Sequence, residues 1–338
     1  MKVLVLLATL SAALPLLAQQ PPPGPLGRPD VNRPGPWDND VLVYRVDSDG
    51  GSEKLATFER AGVPTLARLR DGRLIGASQH FPKDDDRNFD RVAVRFSSDE
   101  GRTWTAATPI VMDGMEAGLA RPFDPTLVPL PDGRVRLYFT SNRSPDFRRS
   151  TPAIYSAIST NGVHYVFEPG VRFAVEGRIV IDCAAVLHNG VFHLFVPDNG
   201  TAEDFIGAPR RQEPPPGGSG YHATSKDGLK FTRVEDVKIS ANHRWLGNAR
   251  SDEKLISFFG TAEHRPGRPG EPRPARGGIW LGTSTDGSKW ELQKILDVQG
   301  ADPGAVATRD GGWIIAVTGP PRPGTATSRQ RQQPRPAP

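Results

Sequence analysis

Ser97-Ser-Asp-Glu-Gly-Arg-Thr-Trp104 is the stretch that decides the fold. The run Arg91–Phe96 before it alternates as a strand does, and Trp104 leads into another extended piece. Ser, Asp and Gly between them are residues of a side-chain-capped turn. Alone, this would be one hairpin. It recurs in compressed form at Ser159–Tyr165, Ser225–Phe231 and Ser284–Trp290, each with Ser, Asp or Asn, Gly and a closing aromatic. A recurring unit of this kind outranks any single motif.

Working outward, each copy closes a unit of four apolar runs. The first two runs meet at an inner turn: Asp71-Gly72, Asp132-Gly133, Asn189-Gly190, Asp252-Glu253 and Asp310-Gly311. The fifth unit, with Pro303–Ala307 and Trp313–Val317, lacks its outer strands. Val41–Val46 and Lys54–Phe58 have no unit of their own and can supply them. Such a closure leaves no bare sheet edge in the ring. The expectation is an all-β, five-bladed β-propeller with four-stranded antiparallel blades, the last blade closed by N-terminal strands. A β-sandwich of the same strands would not explain the repeated turn. Helical periodicity is nearly absent.

Residues 1–18 read as a secretory signal peptide: Met1-Lys2, an apolar run from Val3 to Leu17, then Ala18. The run is short for a membrane span and Pro15 interrupts its end, so no membrane insertion is expected. No Cys lies there to carry a lipid anchor. Residues 19–37 and 320–338 are Pro-rich and aperiodic and read as disordered, leaving 38–319 as the propeller. A secreted or periplasmic location follows. The sole cysteine, Cys183, sits in an apolar run and reads as a buried thiol. The formal charge is +4, with no basic cluster beside stacking aromatics, so a nucleic-acid partner is not expected. The mild positive charge suits an anionic polymer.

In a propeller the start of each innermost strand shares a face with the loop after the second strand. Counting eight residues back from the inner turns gives Val63, Asp124 and Asp302, and seven gives Asp182. Blade four is expected to contribute a residue near His243 or Arg244. Long loops on this face bring His80, Asn142, Arg143, Asp198, Asn199, Glu263 and His264 toward the mouth. The repeated turns lie on the opposite face and read as structural. Converging carboxylates suit glycosidic hydrolysis, one protonated as acid and another ionised. The catalytic candidates are Asp124, Asp182 and Asp302, with Glu176 and Glu263 on loops of the same face. Two such acids should face one cavity about 5–10 Å apart. The same acids could instead bond sugar hydroxyls in a non-catalytic carbohydrate-binding propeller, or hold a structural calcium. No cofactor is required. A polysaccharide lyase would use His and Tyr221, with His80, His222, His243 or His264 near the face; no tight metal-binding spacing accompanies these histidines. His188 and His193 belong to a hairpin and read as structural.

Ser97–Trp104 matches the Asp-box, Ser-x-Asp-x-Gly-x-x-Trp, of sialidase-like propellers, and the later copies resemble the compressed form in five-bladed glycoside hydrolases. Gly62–Ile75 resembles the first inner hairpin of sialidases. The resemblance covers most of the chain and implies a glycan-active propeller acting on an oligosaccharide or polysaccharide. Gly62 stands where sialidases carry a substrate-binding arginine, and Ser78–Phe81 replaces their acid-arginine run. Asp124-Pro125 and Asp302-Pro303 resemble the Asp-Pro strand starts of enzymes acting on arabinose, fructose or mannose linkages. Val63 stands at their first-blade base position, where Asp38 or Asp40 could enter from the N-terminal segment.

Overall fold

The computed structural model describes residues 35–206, 219–240, 243–252, 254–262 and 278–322. Five antiparallel sheets follow one another around an axis as the blades of a propeller. Blade one runs from Ala61–Arg68 through Leu74–His80 and Arg91–Ser97 to Thr108–Pro109. Blade two comprises Phe123–Pro129, Val135–Ser141, Ala153–Ser159 and His164–Phe173, and Val111–Asp113 adds a parallel fifth strand at its rim. Blade three comprises Ala184–His188, Val191–Pro197 and Ser219–Ser225, its outer edge divided between Thr232–Arg233 and Val237–Lys238. Blade four comprises His243–Ser251, Ile256–Ala262, Ile279–Ser284 and Glu291–Leu296.

Blade five closes the ring with both ends of the described chain. Its inner strands are Ala301–Ala307 and Trp313–Pro321, and its outer strands are Asn39–Val46 and Ser52–Phe58. Leu42 pairs with Val317 and Tyr44 with Ile315. This is the closure that the incomplete fifth unit required. The described chain begins slightly before the expected boundary, and Trp37 is already buried, 6.0 Å from the Phe89 ring. The expected leader, most of the first Pro-rich stretch and nearly all of the tail lie outside the described residues.

The core is distributed between blades. Along Val135–Ser141 every residue is buried, because both faces of the strand are covered. Leu137 and Phe139 face blade one with Ile75 and Val94, whereas Tyr138 between them faces blade three with Phe192 and Leu194. That division is the two-residue period of a strand expressed as blade packing. The seam between blades three and four is aromatic: Phe195, Trp245, Phe258 and Trp280. Further clusters join blade four to five and blade five to one, so apolar contact runs around the whole ring.

The four repeated turns share one hydrogen-bond circuit. The amides of Gly101, Gly162, Gly228 and Gly287 donate to the hydroxyls of Ser97, Ser159, Ser225 and Ser284 at 2.8–3.0 Å. Asp99, Asn161, Asp227 and Asp286 accept the amides that follow. Trp104 and Trp290 donate their indole N–H to the turn glycine carbonyl at 2.9 Å. Each turn abuts the preceding blade. Tyr138 donates to the Gly228 carbonyl at 2.8 Å, and Gly287 lies so near His193 that an added Cβ would come within 2.6 Å of Nδ1. The motif therefore spaces blades.

Candidate functional site

The inner strands reach the mouth through a repeated backbone irregularity. Pairing slips between Gly62 and Thr65, Phe123 and Thr126, and Ala301 and Gly304. The residues at the slips, Val63, Asp124 and Asp302, have φ of 50°, 49° and 50°, and Asp182 has 59°. This left-handed region is tolerated by Asp and strained for a β-branched Val. The turn aims these side chains into one axial hole, lined also by Pro64, Thr126, Cys183 and Asn248, with about 10 Å³ of free space. That is room for about one water molecule.

Blade four differs from the sequence expectation. It lines the hole with Leu246, Gly247 and Asn248, rather than with His243 or Arg244. This blade lacks the Asp-Gly inner turn from which the register was counted. Its hairpin closes by Asp252 N–H to the Leu255 carbonyl, and its pairing slips between His243 and Gly247.

Threonines of the second strands stitch neighbouring blades together at this level. The Asp182 amide donates to Thr140 Oγ1 at 3.3 Å, the Asp302 amide to Thr261 Oγ1 at 3.1 Å, and the Val63 amide to Thr318 Oγ1 at 2.8 Å. Thr140 also bonds the Asp124 carboxyl, and Thr318 that of Asp302. Asp302 is thus held from two directions, its carboxyl by its own blade and its amide by the preceding one.

Electrostatically the three aspartates form one unit. Asp124 is buried; Asp182 and Asp302 keep part of their surface open. Burial first, then the charges of Asp182 and Asp302, raises the Asp124 carboxyl far above its ordinary range. Asp182 is pushed up to about 7 by burial and the Asp302 charge, against the pull of Arg244. Burial also raises Asp302, and Thr318 and Arg244 oppose it. Asp124 and Asp182 are hydrogen-bond neighbours, with the protonated Asp124 donating to the Asp182 carboxylate. Two like charges in contact cannot both ionise freely, so the pair holds a proton near neutrality. Asp302 is the member whose rise both Thr318 and Arg244 oppose.

The other anticipated residues are dispersed. Asn199 accepts from Arg244 Nη2 at 3.0 Å and so reaches the acids through that arginine. His80 ends the second strand of blade one; burial, then the Arg95 charge, lowers its pKa to about 4, and among the described residues its Nδ1 has no hydrogen-bond partner. Asp198 takes a two-pronged ion pair from Arg178 at 2.5 and 2.6 Å, and Arg178 Nε donates to the Tyr221 hydroxyl at 3.2 Å. Those groups tie the rim of blade three together. Arg143 is paired with Glu116 at 2.5 Å, and the Asn142 amide bonds the Ser144 carbonyl within its own loop. Glu176 is exposed beyond the last strand of blade two and does not line the hole. Glu263 and His264 lie outside the described residues. Among the described residues no group of three or more acids, histidines or cysteines is disposed to hold a metal ion.

Arg244 was expected near the start of the inner strand of blade four, and Asp90 was not read from the sequence. Arg244 acts on both Asp182 and Asp302. Asp90, buried at the start of the third strand of blade one, is pushed up to about 6 by burial, while Arg121 and a 2.9 Å bond from Gln79 Nε2 pull it down. Its left-handed φ of 57° was not readable; an Asp opening a strand after a loop was the only signal available.

No family model matches the sequence, and no curated protein matches it. Solved structures do match in fold. One is an N-acetylgalactosamine deacetylase from F. plautii in complex with blood group B trisaccharide: 14% identity, TM-score 0.52, 80% of this chain and 82% of that one. Another is a glycoside hydrolase family 43 arabinoxylan arabinofuranohydrolase from Bacillus subtilis in complex with cellotetraose: 12% identity, TM-score 0.51, 76% of this chain and 58% of that one. A Trypanosoma rangeli sialidase matches at 13% identity and TM-score 0.41, over 80% of this chain and 46% of that one. The chain is a five-bladed β-propeller. At these identities the likeness extends to the fold alone.

Proposed function

We propose that this chain is an exported glycoside hydrolase whose reaction takes place at the axial mouth. The observation that carries the reading is the convergence of Asp124, Asp182 and Asp302 from three blades, with one proton held between the first two. Asp182, partly open and raised to about 7, is the group able to give a proton to a leaving oxygen and take it back. Asp124 lies behind it and its hydrogen bond lowers that proton affinity, which burial and the Asp302 charge raise. Asp302, ionised, is the carboxylate that activates water or steadies the developing positive charge of the sugar. Asn199 holds Arg244 beside this cluster, which keeps Asp302 charged. Export is supported by the leader-like residues 1–18, and a carbohydrate partner by the sugars bound in the two fold neighbours.

Those neighbours include a deacetylase and a glycoside hydrolase, so fold does not select the reaction. A second reading, a glycan-binding propeller without turnover, is favoured by two observations. Val63 occupies the blade-one position, and the Asp124–Asp182 pair is in hydrogen-bond contact, closer than the roughly 5–10 Å at which two carboxyls flank a scissile bond. The deciding experiment is turnover of a panel of aryl arabinofuranosides, xylosides and sialosides and of the parent oligosaccharides, with Asp182→Asn and Asp302→Asn as controls. Turnover lost in both variants supports the hydrolase. Saturable oligosaccharide binding with no turnover by the wild type selects the binding module instead.

A further inference from the structure

The axis has a second opening, on the face of the inner turns. All five innermost strands line a funnel of about 500 Å³ there, with walls that include Ala67, Leu127, Val186, Val306 and Trp313. Its lining includes Arg250, on the inner strand of blade four. Arg250 reaches across the axis to brace other blades. Its Nε donates to the Ala305 carbonyl in blade five and its Nη2 to the Leu66 carbonyl in blade one. Nη1 donates to the Ala249 carbonyl at 2.6 Å, and Nη2 also lies 3.5 Å from Thr65 Oγ1.

These partners satisfy N–H groups but carry no charge. Among the described residues no carboxylate pairs with Arg250, and burial alone lowers its guanidinium to about 9. Of the other charged groups at the funnel, Arg68 is matched by Glu100, whereas Asp252 is exposed at the rim with its negative charge in solvent. Arg68 is bound to both oxygens of Glu100 at 2.7 Å, and Asp252 accepts the amides of Lys254 and Leu255 at 2.7 and 2.8 Å. A desolvated cation held by neutral groups alone is costly, and an arriving anion removes part of that cost.

We propose that the funnel is a binding site for a small organic carboxylate, with its charged end toward Arg250 and its apolar body against the funnel walls. The size falls within the range of small-molecule sites, and apolar walls with a few polar groups, here Arg250 with Ser251 and Ser257, are their usual make-up. The walls favour a carboxylate with an apolar body over an inorganic anion. The site is separate from the acid mouth and stands or falls independently of glycan turnover.

The test is calorimetric titration of the full chain with sodium benzoate, benzamide and sodium chloride at constant ionic strength. Benzoate should bind saturably, one per chain, with benzamide about tenfold weaker or worse, since it lacks the charge. Arg250→Met should abolish the difference between the two. Because that change removes a brace and can prevent folding, Ala307→Trp provides a second variant. Ala307 is exposed at the funnel, so the new ring obstructs entry while leaving Arg250 in place. It should weaken benzoate about tenfold. Equal binding of benzamide and benzoate, competition by chloride as strong as benzoate's own, or undiminished benzoate binding in Ala307→Trp would each overturn the assignment.

Discussion

At the mouth, burial and like charge raise Asp182 to about 7 and Asp124 well above its ordinary range, whereas at the funnel the loss of solvent lowers Arg250 only to about 9. A carboxylic acid can escape the cost of a buried charge by keeping its proton near neutrality. A guanidinium cannot, and must be bonded where it stands. One end of the axis therefore stores a transferable proton, and the other a fixed positive charge braced by three carbonyls. The mouth is suited to acid–base chemistry, the funnel to holding things together and to attracting an anion.

The sharpest way to separate the ends is substitution. Asp182→Asn should lower turnover of any glycoside the protein hydrolyses by about 10²–10⁴-fold while the chain still folds. Single-turnover assays with aryl glycosides would show this, and activity within a factor of a few of wild type would remove Asp182 from the chemistry. Arg250→Met should do the reverse. It should destabilise the chain by about 3–5 kcal/mol, because the carbonyls of Leu66, Ala249 and Ala305 lose their donor together. Urea unfolding would measure it. Full stability in Arg250→Met would mean that water replaces the guanidinium, and the contrast between the two ends would collapse.

A pH series that compares the wild type with Asp182→Asn tests the mouth. The Asp182 pKa is raised above its unfolded value of 3.8, so the folded state binds the extra proton. The stability it contributes is fully present below the unfolded pKa and is lost as pH rises through the folded value of about 7. The urea midpoint of the wild type should therefore fall between about pH 4 and about pH 8, and Asp182→Asn should flatten that slope. His193 and His222 slope the opposite way. They share a buried 3.0 Å hydrogen bond, and burial lowers each from 6.5 to about 4. Their contribution is complete above the unfolded value and is lost as pH falls through about 4. A slope between about pH 4 and about pH 8 that is unchanged in Asp182→Asn would show that Asp182 does not store the proton.

Much of this architecture was legible because the propeller repeats its local chemistry. Ser, Asp or Asn, Gly and an aromatic recur with spacing that a single hydrogen-bond circuit explains, and Asp-Gly turns gave the register that led to Asp124 and Asp302. Where the repeat lapsed, reading failed. Blade four has no Asp-Gly inner turn, and the contribution of Leu246–Asn248 went unseen. Arg250 was invisible for another reason. Nothing in a lone arginine tells whether it spans to another blade, since its role is set by contacts between strands distant in sequence, such as Arg250 with Leu66. Arg143 and Asp198 were on the expected loops and Tyr221 on the expected third strand of blade three, but position alone does not reveal that a neighbouring Glu116 or Arg178 already engages them.

Val63 gives the smallest effect and a fine test of how the mouth is built. It shares the left-handed backbone of Asp124, Asp182 and Asp302, yet it is β-branched and contributes no charge. Its amide is held by Thr318 at 2.8 Å, so the backbone position is fixed by blade five, whatever side chain Val63 carries. Asn tolerates this conformation better than Val does. Val63→Asn should therefore stabilise the chain by about 1 kcal/mol, read as a rise in the urea midpoint. The same substitution adds a polar group to the hole without adding a charge, so the Asp182 slope should persist. A loss of stability instead would mean that the apolar Val63 side chain helps to keep water from the acids. Blade one would then contribute to the proton affinity of the mouth by exclusion, where the other blades contribute by charge.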